Sequence, residues 1–182
     1  MAKLSKNEIL ALFEEINYRL ASSNKHGEIL IVGGAALTVM FNARNSTYDI
    51  DAIFQPKEDM RKIIKSIANE HDLHQDWLND GVKGFITDKM KTEKYLSYSN
   101  LTVSSVDAKG LLAMKLTAAR NLTNDMKDSI FLMKMLNIQR VEELFEIIND
   151  YTYPNQQTIQ AKYFTLDAFE KYQLEITHNR KR

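Results

Sequence analysis

The sequence predicts an α+β chain: a small mixed β-sheet with flanking helices, followed by a helical C-terminal region. Three observations predict it. Strand-like apolar runs are confined to the first 105 or so residues. Beyond that point the apolar residues recur only at three- and four-residue spacing. The 182 residues include only two prolines and six glycines, few enough breakers for long helices. We therefore expect an α/β core over residues 1–105 and a helical region over 106–182 packing on it.

The elements follow in order. Ser5 and Glu8 form a capping box ahead of Ile9, Leu12, Phe13, Ile16 and Leu20, which predicts a helix over 5–21. Asn24 to Gly27 reads as a turn and Glu28 to Val32 as a buried strand. Gly33-Gly34 ends the strand, and Ala35 to Phe41 reads as a short helix. Thr47 to Phe54 reads as a second strand, with Ile50 and Ala52 on one face and Asp49, Asp51 and Ile53 on the other. Pro56 suits a first helical turn, with Glu58 and Asp59 at its positive end. Met60, Ile63, Ile64 and Ile67 give that helix its core face. Gly81 to Thr87 reads as a strand, Tyr95 to Tyr98 as a strand or loop, and Leu101 to Ser104 as a strand. Ser105 reads as the cap of a helix reaching about Arg120, and Thr123 as the cap of the next, to about Leu136. Val141 to Asn149 forms a third. Beyond Pro154, one or two more helices are expected, the last capped by Thr165.

Composition excludes several classes of function. No cysteine means no disulfide partner, no thiolate nucleophile and no Cys-ligated zinc. The 24 basic and 24 acidic side chains cancel, which argues against a large electrostatic footprint on nucleic acid. Ile29 to Phe41, the greasiest stretch, is shorter than the ~20 residues a spanning helix needs and is broken by glycine, so no membrane partner is expected. Met1 to Lys6 has no apolar leader, which reads as a cytoplasmic chain.

The chemistry-bearing stretch is Gly33-Gly34 followed by Arg44-Asn45-Ser46-Thr47-Tyr48-Asp49-Ile50-Asp51. Alternate strand residues share a face about 7 Å apart. Two carboxylates there repel by about 2–3 kcal/mol at an effective dielectric of ~20. A divalent cation relieves that repulsion. Hard oxygen ligands suit Mg²⁺, which also takes waters and substrate phosphates. The glycine pair lets backbone N–H groups approach a phosphate. Either feature alone has a bland reading: Asp-x-Asp is common, and Gly-Gly after a strand reads as a turn. Their order on adjacent elements is what is specific.

This pattern resembles the signature of the nucleotidyltransferase fold, the polymerase-β-like superfamily. The closer similarity is to a small bacterial branch related to AbiEii-type toxins. Asp76-Trp77-Leu78-Asn79-Asp80 running into Val82-Lys83-Gly84-Phe85 resembles a central motif of that branch. Leu111 to Leu116 with Ala118-Ala119-Arg120, then Asp125 and Asp128, resembles its helical motif, and Tyr151 to Pro154 the Tyr-Pro that opens its final helices. The resemblance implies transfer of a nucleoside monophosphate from a nucleoside triphosphate to a tRNA or protein acceptor. A toxin-type chain also implies a cognate antitoxin. Gly33, Gly34, Ser46 and Thr47 would then serve the nucleotide, and Asp49 and Asp51 would hold Mg²⁺. Lys115, with Asp128 or Asp125, would complete the site, expected as a cleft between the two regions.

Read from the residues, Lys115 emerges beside an apolar helical stripe, either snorkelling or contacting phosphate. Arg120 is the expected partner of Asp125 or Asp128. The wider superfamily has a third carboxylate on a later strand. Leu101 to Ser104 has none, leaving Asp80, Asp88, Glu93 and Asp107 as the residues to consider. That departure motivates an alternative: a nucleotide- or partner-binding module without turnover. Trp77 reads as a core anchor or a base-stacking residue, and the four histidines as surface groups.

Overall fold

Backbone pairing follows the apolar pattern. The computed structural model describes residues 3–119 and 123–179. In chain order it contains β1 (Leu4–Ser5), α1 (Lys6–Ser22), β2 (Gly27–Ile31), α2 (Gly33–Val39), β3 (Ser46–Thr47), β4 (Ile50–Gln55), α3 (Lys57–Glu70) and β5 (Leu78–Asn79). A 3-10 turn (Gly81–Phe85), β6 (Thr92–Ser97), β7 (Leu101–Val106), α4 (Ala108–Ala118) and α5 (Thr123–Met135) follow. Then come α6 (Val141–Tyr151), a second 3-10 turn (Pro154–Gln156) and α7 (Ile159–Asn179).

The chain divides into two units, Met1–Gly84 with Thr92–Val106 and Phe85–Lys91 with Asp107–Arg182. The first is built on a five-stranded mixed sheet in the order β5-β4-β2-β7-β6. β2 runs antiparallel to β4 and parallel to β7. Alternation then decides what each face carries. Ile29, Ile31, Ile50, Ala52, Phe54, Leu101 and Val103 are buried on one face. α1 and α3 cover that face with Ile9, Phe13, Ile16, Leu20, Met60, Ile64 and Ile67. The capping box that starts α1 is formed in full, with Ser5 N–H donating to Glu8 Oε2 at 2.7 Å. Arg19 ties α1 to α3 by donating to Ser66 Oγ at 2.8 Å and to Glu70 Oε2 at 2.6 Å. On the opposite face Leu30, Ile53 and Ser104 stand in register across β2, β4 and β7. They line an open depression of about 340 Å³.

The second unit is helical. α4 packs against α5, α6 and α7 around Leu111, Leu112, Leu116, Leu132, Met133, Leu144 and Ala168. The segment Phe85–Lys91 belongs to this unit. Thr87 Oγ1 donates to Tyr151 O at 2.7 Å, and Lys89 Nζ donates to Thr152 O at 2.9 Å. No helix among the described residues is long and apolar enough to cross a membrane.

Several expected elements are corrected. Thr47 to Phe54 is not one strand. Ser46–Thr47 pairs with Leu4–Ser5 in a separate ladder, so the chain bends at Tyr48–Asp49 before β4 joins β2. The short helix begins at Gly33 rather than Ala35. Gly81 to Thr87 is a 3-10 turn over its first five residues, because it offers no buried alternate row to a sheet. Ser105 does not cap α4: it extends β7 opposite Ile31 and Glu93, and Asp107 caps the helix by accepting from Gly110 N–H at 2.8 Å. Thr165 lies inside α7, its hydroxyl donating to Ala161 O at 2.8 Å. No breaker interrupts that helix, and Thr158 Oγ1 accepts from Ala161 N–H at its start. The Thr123 side chain, Arg120 and residues 180–182 lie outside the described residues.

Candidate functional site

The site begins where β2 ends. Val32 is extended, and its N–H donates to Asp51 O at 3.0 Å. The chain then reverses at Gly33, whose φ of +59° lies in the left-handed region. A side chain there costs about 1–2 kcal/mol. It would also crowd Asp51: a Cβ on Gly33 would stand 3.3 Å from Asp51 Oδ2. A Cβ on Gly34 would stand 2.9 Å from Thr47 Oγ1 and 3.1 Å from Arg44 Nη1. The two glycines thus bring bare backbone against a carboxylate, a hydroxyl and a guanidinium. The first N–H groups of α2 have no intrahelical acceptor, so they add donors to this cradle.

Asp51 lies on the open face of β4 with Ile53, and Asp49 precedes the strand. Both carboxylates are half-buried. Burial, and then the charge of Asp51, hold the Asp49 carboxyl above the usual carboxylate range. Among the described residues no lysine or arginine pairs with either. Asp51 Oδ1 instead accepts from the neutral Asn79 Nδ2 at 3.2 Å. Two hard oxygen donors that repel one another fit a divalent cation of the Mg²⁺ type, with water and phosphate as further ligands. Ser46 is half-buried and Thr47 buried in β3, the latter directly above Gly34.

No group of three or more His, Cys, Asp or Glu side chains is gathered around a metal position among the described residues. The four carboxylates considered for a third ligand have other partners or positions. Asp80 pairs with Lys83 and Arg61, and the Lys83 hydrogen bond pulls its carboxyl below the ordinary range. Asp88 accepts from Tyr153 Oη. Glu93 is exposed on β6 opposite Ser105. Asp107 caps α4 and accepts from Tyr151 Oη at 2.6 Å. The open face of β7 carries Thr102 and Ser104 instead.

In the helical unit, Lys115 lies between Asp125 and Asp128. Lys115 Nζ lies 2.6 Å from Asp125 Oδ1 and 2.9 Å from Asp128 Oδ2. The three side chains are only 14%, 11% and 5% exposed. Lys115 thus pairs with both carboxylates, ten and thirteen residues away; the expected pairing with Arg120 lies outside the described residues. Trp77 is an anchor: it is 2% exposed and its Nε1 donates to Ile64 O at 3.1 Å. His71 contacts Glu15, and His26 contacts Thr102. Sequence reasoning passed over Asn79 as an individual residue. Its contact with Asp51 depends on a strand pairing across 28 residues, and no local spacing signals it.

No curated protein and no solved structure matches this chain. Residues 7–176 match a family described as a nucleotidyltransferase of unknown function (DUF6036). The match runs from the first long helix into the last, over the sheet, the glycine turn and the carboxylate pair alike. The chain belongs to that nucleotidyltransferase family.

Proposed function

We propose that this protein transfers a nucleoside monophosphate from a nucleoside triphosphate to an RNA or protein acceptor, with Mg²⁺ held by Asp49 and Asp51. One observation carries the reading: the left-handed turn at Gly33 packs bare backbone 3.3 Å, measured to its Cβ position, from Asp51 Oδ2. That closeness suits a triphosphate whose oxygens meet backbone N–H groups and a carboxylate-bound cation together. Bound there, the cation would neutralise phosphate charge and polarise the reacting phosphorus. The Gly33-Gly34 backbone orients the phosphate tail. Arg44 and the Thr47 hydroxyl border the same cradle. An acceptor hydroxyl oxygen attacks the α-phosphorus and gives its proton to solvent, the bond from the α-phosphorus to the bridging oxygen breaks, and pyrophosphate leaves.

The test uses each of four α-labelled nucleoside triphosphates with Mg²⁺, total tRNA and a cell extract. Label should pass to a macromolecule with one of them. Asp49→Ala should abolish the transfer while keeping the wild-type melting temperature. Equal labelling by that variant would refute the site. A toxin-type role belongs to the same reading, with growth arrest on expression of the wild-type chain and not of Asp49→Ala.

The absence of a third carboxylate from the cluster, among the described residues, favours a second reading: nucleotide binding without turnover. Saturable stabilisation by a nucleoside triphosphate with no labelled product supports it.

A further inference from the structure

We infer that Asn79 is a positioning residue that orients the Asp51 carboxylate for its cation; this rests on the reading of Asp49 and Asp51 as a metal site. The segment that carries Asn79 is firmly placed. β5 lies parallel to β4 with Ile50 opposite Leu78 and Asp51 opposite Asn79. Ile50 N–H donates to Trp77 O at 2.7 Å, and the buried Trp77 indole is held by Ile64 O. Backbone pairing and the indole therefore hold the strand, leaving the half-buried Asn79 side chain to another task.

That side chain has one orientation open to it. Asn79 Oδ1 accepts from Gly81 N–H at 3.0 Å, closing an Asx turn. The amide nitrogen is thereby aimed at Asp51 Oδ1, 3.2 Å away. The flipped amide would set oxygen against carboxylate oxygen and N–H₂ against N–H, two repulsive contacts for two favourable ones. Asp51 is held through Oδ1, while Oδ2 faces the Gly33 turn. The donor is neutral, which matters. A lysine or arginine in this place would orient the carboxylate equally well but cancel the charge that attracts the cation. Outer partners of this kind typically change metal affinity by about 10- to 100-fold when removed.

The test measures Mn²⁺, as a spin-visible substitute for Mg²⁺, by electron paramagnetic resonance. Wild type, Asn79→Ala, Asn79→Ser and Asp51→Asn are titrated, and metal-free melting temperatures are recorded beside them. Serine can still accept from Gly81 N–H but is too short to reach Asp51, so it keeps the turn if alanine does not fold. Both Asn79 variants should bind Mn²⁺ about 10- to 100-fold more weakly, with a changed bound-Mn²⁺ spectrum. Asn79→Ser should keep a near wild-type metal-free melting temperature. Wild-type affinity in the Asn79 variants, with binding lost in Asp51→Asn, overturns the positioning role and leaves the metal site standing. Wild-type affinity in Asp51→Asn overturns the metal site itself, and the role of Asn79 falls with it.

Discussion

Gly33 is where one backbone angle and one carboxylate meet. Its φ of +59° is open to glycine and strained for alanine, and the added methyl would press on Asp51 Oδ2. Gly33→Ala should therefore cost about 1–2 kcal/mol of stability in urea unfolding, and it should weaken nucleotide binding in the same protein. Stability and binding both equal to wild type would show that the turn relaxes without consequence. At this scale much was legible from the sequence. The Ser5–Glu8 capping box and the glycine turn after β2 are local signals, and local physics forms both. Asp49 was misplaced on a strand because the pairing of Ser46–Thr47 with Leu4–Ser5 is a contact across about forty residues. Asn79 was invisible as a partner of Asp51 for the same reason. Lys115, Asp125 and Asp128 were each singled out, but their mutual pairing depends on how two helices pack, which spacing does not encode.

Among the elements, α1 and α3 are joined by a polar clip. The hydrogen bond from Arg19, helped by Ser66, draws the Glu70 carboxyl down from its ordinary 4.5 to about 2. A carboxyl lowered on folding stabilises the native chain above its unfolded value, and that stability disappears as pH falls through the folded one. The clip should therefore act fully above about pH 5 and fade toward pH 2. Glu70→Gln should be less stable than wild type at pH 6, and the difference should shrink steadily on acidification. A difference independent of pH in urea titrations would assign the effect to packing. In the helical unit, α4 and α5 are joined by a more buried device. Lys115→Met leaves Asp125 without its cation in a largely dry setting, a loss expected near 3 kcal/mol. Transfer activity per folded molecule then separates two roles: retained activity assigns Lys115 to the fold, and lost activity gives it a phosphate contact as well.

At the scale of the whole molecule, the chain passes between its two units three times, at residues 84–85, 91–92 and 106–107. Neither unit is a continuous stretch of sequence. The two-part pattern of the sequence, sheet-forming first and helical after, was readable because it depends on periodicity. The loan of 85–91 to the helical unit was not. It rests on hydrogen bonds from Thr87 and Lys89 to the end of α6, some sixty residues on. The misread strand over Gly81 to Thr87 spans the boundary where that loan begins.

The parallel pairing of β2 with β7, Gly27 opposite Leu101, also has a consequence for synthesis. A ribosome makes the centre of this sheet long before it makes the strand that flanks it. Until residues 101–106 emerge, the Ile29-Leu30-Ile31 row has β4 on one side and an open hydrogen-bonding edge on the other. Such an edge invites pairing with another chain. A polypeptide stopped at Asn100 should sediment as aggregate where the full chain stays in solution. A soluble, monomeric 1–100 product would mean that the sheet finds another way to close. From the end of β2 to the end of β7, the nascent protein thus carries its central strand with one hydrogen-bonding edge still unpaired.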